Sequence, residues 1–478
     1  MKFGLVSLGC DKNTVDSERI LATLIGHGAE RAPALSEAEI ILVNTCGFID
    51  AAKEESIETL LQIGRLKEEG KCRVLVAVGC LVERYRDELE PELPEVDLFV
   101  GLRDMGRLLP ELRARGLIGD PIADHPGVRM PLGSARHVRY LKVSEGCNHG
   151  CAFCAIPIWR GRHRSFGPEQ LVAEAQRLEA QGAVELNLVA QDLAHYGLDL
   201  RDGTDVVALL RRLLEETTIP WFRLLYIYSA GIREPLVELL ACEPRILPYV
   251  DMPIQHASDE VLKRMRRPER QESLLRKIGW MRSAIPDLTL RTTVMVGFPG
   301  ETDEDFRTLL DFMEEVRFDR LGAFAFSPQP GTRAAELDGL FLPPEVGKDR
   351  LEELLEVQRA ISAELMAAEV GRRRSAIVDG HEADLTGAGR EREPVWTGRT
   401  AAQADDVDGL TLLHAPFPLV PGDLVDVQVT AAADYDLQAR VMALTRPSPA
   451  RNGRRTAAPP IHRSLPVAPL GLEAVWGR

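Results

Sequence analysis

Three things are scarce in this sequence, and each argues against a class of protein. No uninterrupted apolar run approaches the roughly 20 residues that a membrane-spanning helix needs. The opening run Phe3-Gly4-Leu5-Val6-Ser7-Leu8-Gly9 is too short for the apolar core of a signal peptide. Positive charge is scarce: 58 Lys and Arg against 73 Asp and Glu leave a formal net charge of -15. That sign disfavours a broad electrostatic grip on nucleic acid and suits a basic partner. Cysteine is scarce as well, eight in 478 residues, which argues against a disulfide-dense secreted scaffold. The expectation is a cytoplasmic protein with reduced thiols, in which cysteine serves metal binding or catalysis.

What is present is an apolar fraction of 45%, enough for a sizeable core, in a chain long enough for about three domains. Up to residue 112, short apolar runs at 3–8, 40–43 and 74–78 alternate with helical stretches, the pattern of a small doubly wound α/β domain. A passage over 113–133 rich in Gly, Pro and Arg reads as a linker. Six strand-then-helix units follow, with strands expected at 140–143, 185–189, 222–227, 249–252, 288–296 and 321–326. The helical runs 169–180 and 303–316 between them carry apolar residues at helical spacing. Such units predict an open or closed parallel (βα)6 barrel over 134–370, with its site at the carboxyl ends of the strands. A trailing amphipathic helix over 345–370 closes that region, and 371–445 shifts to short β-like runs broken by Gly and Pro, a small β-barrel. The segment 446–478 is rich in Pro, Arg and Ala without periodicity and is expected to be a disordered tail.

Cys147-Asn148-His149-Gly150-Cys151-Ala152-Phe153-Cys154 places three thiols within eight residues, just past the first strand of the barrel. Three thiolates on a four-iron cube leave one iron free for a non-protein ligand. A structural zinc site is the competing reading; it needs a fourth ligand, for which His149 is at hand, but the spacing is not the paired C-x2-C arrangement. In the first domain, Cys10, Cys46 and Cys80 each follow an apolar run. The carboxyl ends of a doubly wound sheet converge on one crevice, so these three are placed to share one cluster, again with an open iron. Burial as small hydrophobes is the alternative. Cys72 and Cys242 lie outside both patterns and read as packing residues.

Other features at the expected strand ends suit a cofactor: Gln191-Asp192, Gln255-His256 and Gly297-Phe298-Pro299-Gly300-Glu301. Glycine lets backbone approach a ligand closely, and polar side chains at these ends fix ribose and amino-acid groups. Gly297 and Gly300 would equally serve to shape a turn, and His256 to satisfy a buried partner.

Taken together, Cys10, Cys46 and Cys80, the Cys147 triad and Phe298-Pro299-Gly300-Glu301-Thr302 resemble the radical S-adenosylmethionine methylthiotransferase family over nearly the whole chain to about residue 444. Leu141-Lys142-Val143-Ser144-Glu145-Gly146, Ile156-Pro157 with Arg160-Gly161, Val189-Ala190-Gln191-Asp192 and the run from Leu247 through Gln255-His256-Ala257-Ser258 look like its RimO branch. That branch modifies an aspartate of the twelfth small-subunit ribosomal protein. The sister branch, acting on isopentenyl-adenosine in transfer RNA, typically has Gln-Asn in place of Gln191-Asp192 and Gln-Ser-Gly in place of Gln255-His256-Ala257. Asp434-Tyr435-Asp436-Leu437 resembles the closing motif of a TRAM domain, which identifies the expected β-barrel.

The resemblance implies two 4Fe-4S clusters and S-adenosylmethionine. Cys147, Cys151 and Cys154 would hold the radical-generating cluster, whose free iron chelates the methionine moiety. Cys10, Cys46 and Cys80 would hold an auxiliary cluster that presents sulfur or methylsulfur. Phe153, Gln191, Gln255, Gly297 and Phe298 are the expected contacts to S-adenosylmethionine. The product would carry a methylthio group on the β-carbon of an aspartate, with an electron donor and a sulfur source as further partners and the substrate met free or on the ribosome. Between 371 and 445, seven arginines and no lysine stand against twelve carboxylates, a balance of -5. An acidic face suits a lysine- and arginine-rich ribosomal protein better than RNA phosphates, although a merely solvated surface has the same composition. The alternatives are the transfer-RNA methylthiotransferase and, from another class, a non-catalytic iron–sulfur module that docks on the ribosome.

Overall fold

The computed structural model describes residues 1–121, 129–132, 136–381 and 395–452. The first sheet is parallel throughout, in the order β2-β1-β3-β4-β5, built from β1 (Lys2–Ser7), β2 (Glu30–Arg31), β3 (Ile40–Thr45), β4 (Val74–Gly79) and β5 (Leu98–Gly101). Successive side chains of a strand point to opposite faces. Ile40, Leu42, Val74 and Val76 accordingly pack with Leu21 and Leu24 of the helix Asp11–Gly26. Ile41, Val43, Leu75 and Ala77 pack with Leu60, Ile63 and Leu89 on the other side. Both faces are covered, which is why these strands are apolar from end to end. Cys72 is buried in the second of these clusters.

The central sheet is also parallel, in simple sequence order β13-β12-β11-β10-β9-β6 and open between its edges. Its strands are β6 (Val138–Lys142), β9 (Glu185–Val189), β10 (Trp221–Leu224), β11 (Ile246–Asp251), β12 (Thr289–Val296) and β13 (Arg320–Ala325); β7 (Ser144–Glu145) and β8 (Arg164–Ser165) form a separate antiparallel pair after β6. Leu141, Leu186, Leu188, Phe222, Leu224 and Val250 face the surrounding helices. Their alternates Tyr140, Trp221, Leu247 and Tyr249 pack instead with Ile377, Ala404 and Leu424 from the last domain. Cys242 ends the helix Glu234–Cys242 and is exposed, so it is not the packing residue its apolar surroundings in the sequence suggest. Among the described residues no helix is long and apolar enough to cross a membrane.

The last domain is a closed barrel, β14-β15-β16-β18-β17, of β14 (Arg373–His381), β15 (Val395–Thr400), β16 (Thr411–His414), β17 (Leu424–Ala432) and β18 (Leu437–Arg446). It docks on the face of the central sheet that helices leave bare. Tyr140 Oη donates to Asp405 at 3.0 Å, Tyr249 Oη to Asp408 at 2.8 Å, and Arg223 to the Ala401 carbonyl at 2.9 Å. Asp379 pairs with Arg399, and Asp423 with Arg451. Part of the acidity read from the sequence is therefore engaged inside the molecule.

Two segments are more ordered than their composition suggests. The helix Leu108–Ala114 crosses the expected boundary at 112, and Arg129, within the expected linker, is buried between Glu18 and Glu174. At the other end β18 continues to Arg446, and the short turn Pro449–Asn452 is anchored by Arg451 on Asp423; the rest of the expected tail, 453–478, lies outside the described residues.

Candidate active site

Strands β1, β3 and β4 are neighbours, and each of their carboxyl ends carries a cysteine: Cys10, Cys46 and Cys80. Their convergence is written in the backbone around them. Gly9 adopts a φ of +81°, and a Cβ there would stand 2.9 Å from Cys46 Sγ. Gly79, at φ +106°, has no room for a Cβ, which would lie 2.4 Å from Asn44 Oδ1 and 2.5 Å from the Thr45 carbonyl. Asn13 donates to the Leu8 and Thr45 carbonyls at 3.0 and 3.1 Å and presents Oδ1 to Cys80 Sγ at 3.7 Å, so one buried amide ties the three strand ends together. Burial pushes Cys46 up to about 12 and Cys80 up to about 11, with Cys10 and, for Cys46, Cys80 reinforcing the effect. Cys46 and Cys80 are buried thiols that resist ionisation, with Cys10 exposed beside them; a metal centre would convert buried thiols of this kind to thiolates, and the set fits a cluster gripped at three corners.

The second triad follows β7. Its loop is pinned at Ala152, whose amide donates to the Met265 carbonyl and whose carbonyl accepts from Ala334, at 2.9 and 2.8 Å. The His149 amide donates to Cys147 Sγ at 3.4 Å, and Arg267 approaches Cys151 Sγ at 4.0 Å. Burial raises Cys147 to about 11 and Cys154 to about 12, and the neighbouring cysteines push the same way. A cavity of about 470 Å³ opens beside the loop, lined by Cys147, Asn148, His149, Pro157, Arg162 and His163. The three thiols thus fit a cluster as the first triad does.

The expected S-adenosylmethionine contacts divide in two. Gln191, past β9, donates to Glu145 at 3.1 Å while its Oε1 is buried without a partner among the described residues. Gln255, past β11, has a left-handed backbone at φ +71° and a second buried, unpartnered Oε1. Buried acceptors are normally satisfied, so these two are what a polar ligand would complete. Gly297 and Phe298 are set by packing: Gly297 lies against the helix Pro344–Glu369, and Phe298 lies under the cysteine loop. A Cβ on Gly297 would meet Gly347 Cα at 2.9 Å, and Phe298 is fully buried with Ala152, against which Phe153 also packs. His256 is fully buried, accepts from the Ser258 amide at 2.9 Å, and is kept neutral by burial, its pKa lowered to about 3.

Several site residues have contacts that the sequence does not reveal, although Glu145 and Arg160 stand in motifs that carry the resemblance. Arg160 donates to Cys80 Sγ at 3.3 Å, Asn13 Oδ1 at 2.7 Å and Glu145 Oε1 at 2.8 Å, linking the two triads. Burial would raise Glu145, but Lys142 and Arg160 outweigh it and hold the carboxyl at about 2. Tyr228 stacks on His149 at 4.0 Å between ring centres and carries Arg267 on its ring at 4.2 Å. Tyr228 is four residues past β10, so its position at a strand end was the available clue; for Arg160 the clue was the Arg160-Gly161 motif, which does not say what the side chain touches.

This arrangement, a cysteine loop at the carboxyl edge of an open six-stranded parallel sheet, defines a radical S-adenosylmethionine enzyme. Residues 141–313 match the Radical SAM superfamily, residues 2–101 the Uncharacterized protein family UPF0004, and residues 370–442 the TRAM domain. The radical S-adenosylmethionine methyltransferase TsrM from Kitasatospora setae shares the fold, with a TM-score of 0.52 at 14% identity over 81% of this chain and 79% of that one. Among curated proteins, the ribosomal protein uS12 methylthiotransferase RimO of Desulforudis audaxviator is 45% identical over 92% of this chain and 97% of its own length. Its namesakes from Anaeromyxobacter sp. (strain Fw109-5), 43% identical over 97% and 98%, and from Aquifex aeolicus, 42% over 92% and 97%, agree with it. The chain belongs to the RimO family of methylthiotransferases.

Proposed function

We propose that this protein attaches a methylthio group to the β-carbon of an aspartate in ribosomal protein uS12. The observation that carries the reading is the pair of thiol triads at the carboxyl edges of two sheets, joined through Asn13, Arg160 and Glu145. A carbon that carries no readily removable proton calls for radical chemistry rather than a base. Cys147, Cys151 and Cys154 would hold one 4Fe-4S cluster with S-adenosylmethionine on its open iron, and Cys10, Cys46 and Cys80 would hold the other. Bound together, these groups supply a 5′-deoxyadenosyl radical, a methyl group and a site for the sulfur being transferred.

The chain's own work is placement. Gln191 and Gln255 offer their unpartnered oxygens to the nucleoside or amino-acid end of the cofactor, and His149, clamped between Asp192 and Tyr228, holds the cysteine loop in shape. Tyr226, half-buried just past the end of β10, has Lys12 seated 3.1 Å from its ring centre and donates to Asp11 at 3.2 Å, so it ties the first domain to the edge of the central sheet. An electron donor and a sulfur source are needed as partners, and the cytoplasm, where ribosomal proteins are made, is the fitting compartment.

The test is mass spectrometry of uS12 and of total transfer RNA from a deletion strain. Loss of the methylthio mass from uS12 with unchanged transfer RNA is expected. The reverse pattern assigns the transfer-RNA substrate instead. Failure of the anaerobic protein to release 5′-deoxyadenosine with reductant and S-adenosylmethionine would reduce it to a binding module.

A further inference from the structure

Arg160 follows the one-turn helix Ile156–Trp159, and only 4% of its side chain is exposed. A guanidinium is rarely taken out of water unless each of its faces meets an acceptor. Here one nitrogen donates to both Cys80 Sγ and Asn13 Oδ1, at 3.3 and 2.7 Å, and the other to Glu145 Oε1 at 2.8 Å, with Asp16 at 3.5 Å. Lys142 binds the same two carboxylates, Asp16 and Glu145. The two cations and two carboxylates are neutral as a group, so the hydrogen bond to Cys80 is a donor directed at sulfur beyond local charge balance. Glu145 Oε1 is shared: Arg160 reaches it from the first triad and Gln191 Nε2 from the other side, at 3.1 Å. Asp16, Lys142, Glu145 and Arg160 also line a cavity of about 650 Å³ between the first two domains, together with Asn44 and Gly79.

We propose that Arg160 is a positioning residue that sets the reduction potential of the auxiliary cluster and ties it to occupancy of the S-adenosylmethionine site. The inference rests on the assignment of Cys10, Cys46 and Cys80 as cluster ligands. A hydrogen bond to a ligating sulfur withdraws electron density from the iron and stabilises the reduced state, one of the recognised means by which a protein tunes such a centre. A guanidinium suits the task because its planar fork reaches the sulfur and the carboxylate at once, whereas a lysine is a single point charge. A ligand that engages Gln191 disturbs the shared oxygen of Glu145, and through Arg160 that disturbance reaches Cys80.

The experiment uses the full chain, reconstituted anaerobically, with Cys147, Cys151 and Cys154 replaced by alanine so that only the auxiliary cluster is present. Potentiometric titration followed by electron paramagnetic resonance gives its midpoint with and without Arg160→Gln. The expected result is equal iron content and a more negative midpoint in R160Q. Arg160→Lys, which keeps the charge and loses the fork, should lie between the two and serves if R160Q folds poorly. In the protein with all six cysteines, adding S-adenosylmethionine should alter the auxiliary signal, and R160K should abolish that response. Equal midpoints at equal iron content overturn the role of Arg160 and leave the cluster assignment standing. Absence of any cluster in the triple-alanine protein overturns both.

Discussion

His149 Nε2 and Asp192 Oδ2 lie 2.8 Å apart, so the middle of the cysteine loop is held by the residue that follows Gln191. The other oxygen of Asp192 accepts from the Ala194 and Tyr228 amides, at 3.0 and 3.2 Å, which fixes the plane of the carboxylate. Tyr228 in turn stacks on the imidazole. The aspartate of the Gln-Asp pair, which distinguishes this chain's motif from Gln-Asn, thereby acts on the loop that would carry the radical-generating cluster.

Asp192→Asn keeps the size of the side chain and removes its charge. A hydrogen bond to a charged partner contributes about 1 kcal/mol more than a neutral one, so the rate of 5′-deoxyadenosine release should fall roughly 5- to 10-fold. Iron content should stay the same, because none of the three thiols is touched. Equal rates in the two proteins would show that His149 needs no anionic anchor.

Cys46→Ala separates the two triads. The anaerobically reconstituted variant should lose about four of about eight irons and the matching sulfide while retaining cleavage of S-adenosylmethionine. Cys72→Ala, which removes a thiol from an apolar cluster away from the triads, should leave both values unchanged. Full iron in the Cys46 variant would show that the first triad holds no cluster.

The first triad was legible in the sequence because Cys10, Cys46 and Cys80 each come within three residues of a strand end, and strands buried on both faces announce themselves as apolar runs; the second was legible from three thiols within eight residues. The run at 185–189 has the same bounds as β9, and that at 288–296 differs from β12 by one residue. Short β2 and β5 were not anticipated, since two and four residues are too few to establish a period. The contacts around the triads were illegible for a different reason. Arg160 and Asn13 stand 147 positions apart, and a hydrogen bond over that distance leaves no local pattern. Arg129 was hidden by its neighbours, because a stretch rich in Pro and Gly reads as linker whichever arginine it contains.

That arginine supplies a pH-dependent test. Arg129 is almost fully buried and binds Glu18 and Glu174, joining the helix Asp11–Gly26 to the helix Pro168–Ala180. Burial alone would raise Glu174, but Arg129 and Arg19 outweigh it and hold the carboxyl below its ordinary value. A depressed carboxylate contributes stability above its unfolded pKa of about 4.3 and loses it as the pH falls through the folded value. Arg129→Met should therefore cost up to about 3 kcal/mol at pH 7, since it removes the buried partner that Glu18 and Glu174 share and leaves them only Arg139 and Arg19. The deficit should shrink below pH 4, where Glu174 takes up a proton. Urea unfolding at the two pH values checks this, and a deficit that does not depend on pH would place the loss in packing alone.

The last domain offers a test of a different joint. Asp408 has 2% of its side chain exposed, accepts from Tyr249 Oη and from the Ala404 amide, each at 2.8 Å, and lies 3.9 Å from Arg291. Burial and the adjacent Asp408 raise Tyr249 well above its ordinary value, so the phenol remains a donor across the working range. Asp408→Ala strands a buried hydroxyl and an amide and should cost about 2–4 kcal/mol, whereas Tyr249→Phe should cost about 1 kcal/mol. If the barrel is part of the central sheet's packing, the two losses will not add, and the double variant will fall short of their sum by at least about 0.5 kcal/mol. Additive losses in urea unfolding would mean that the hydrogen bond is not what joins them. The six-stranded sheet would then be held to the barrel by the apolar contact of Trp221, Leu247 and Ile377 and by the Tyr140–Asp405 and Arg223–Ala401 hydrogen bonds.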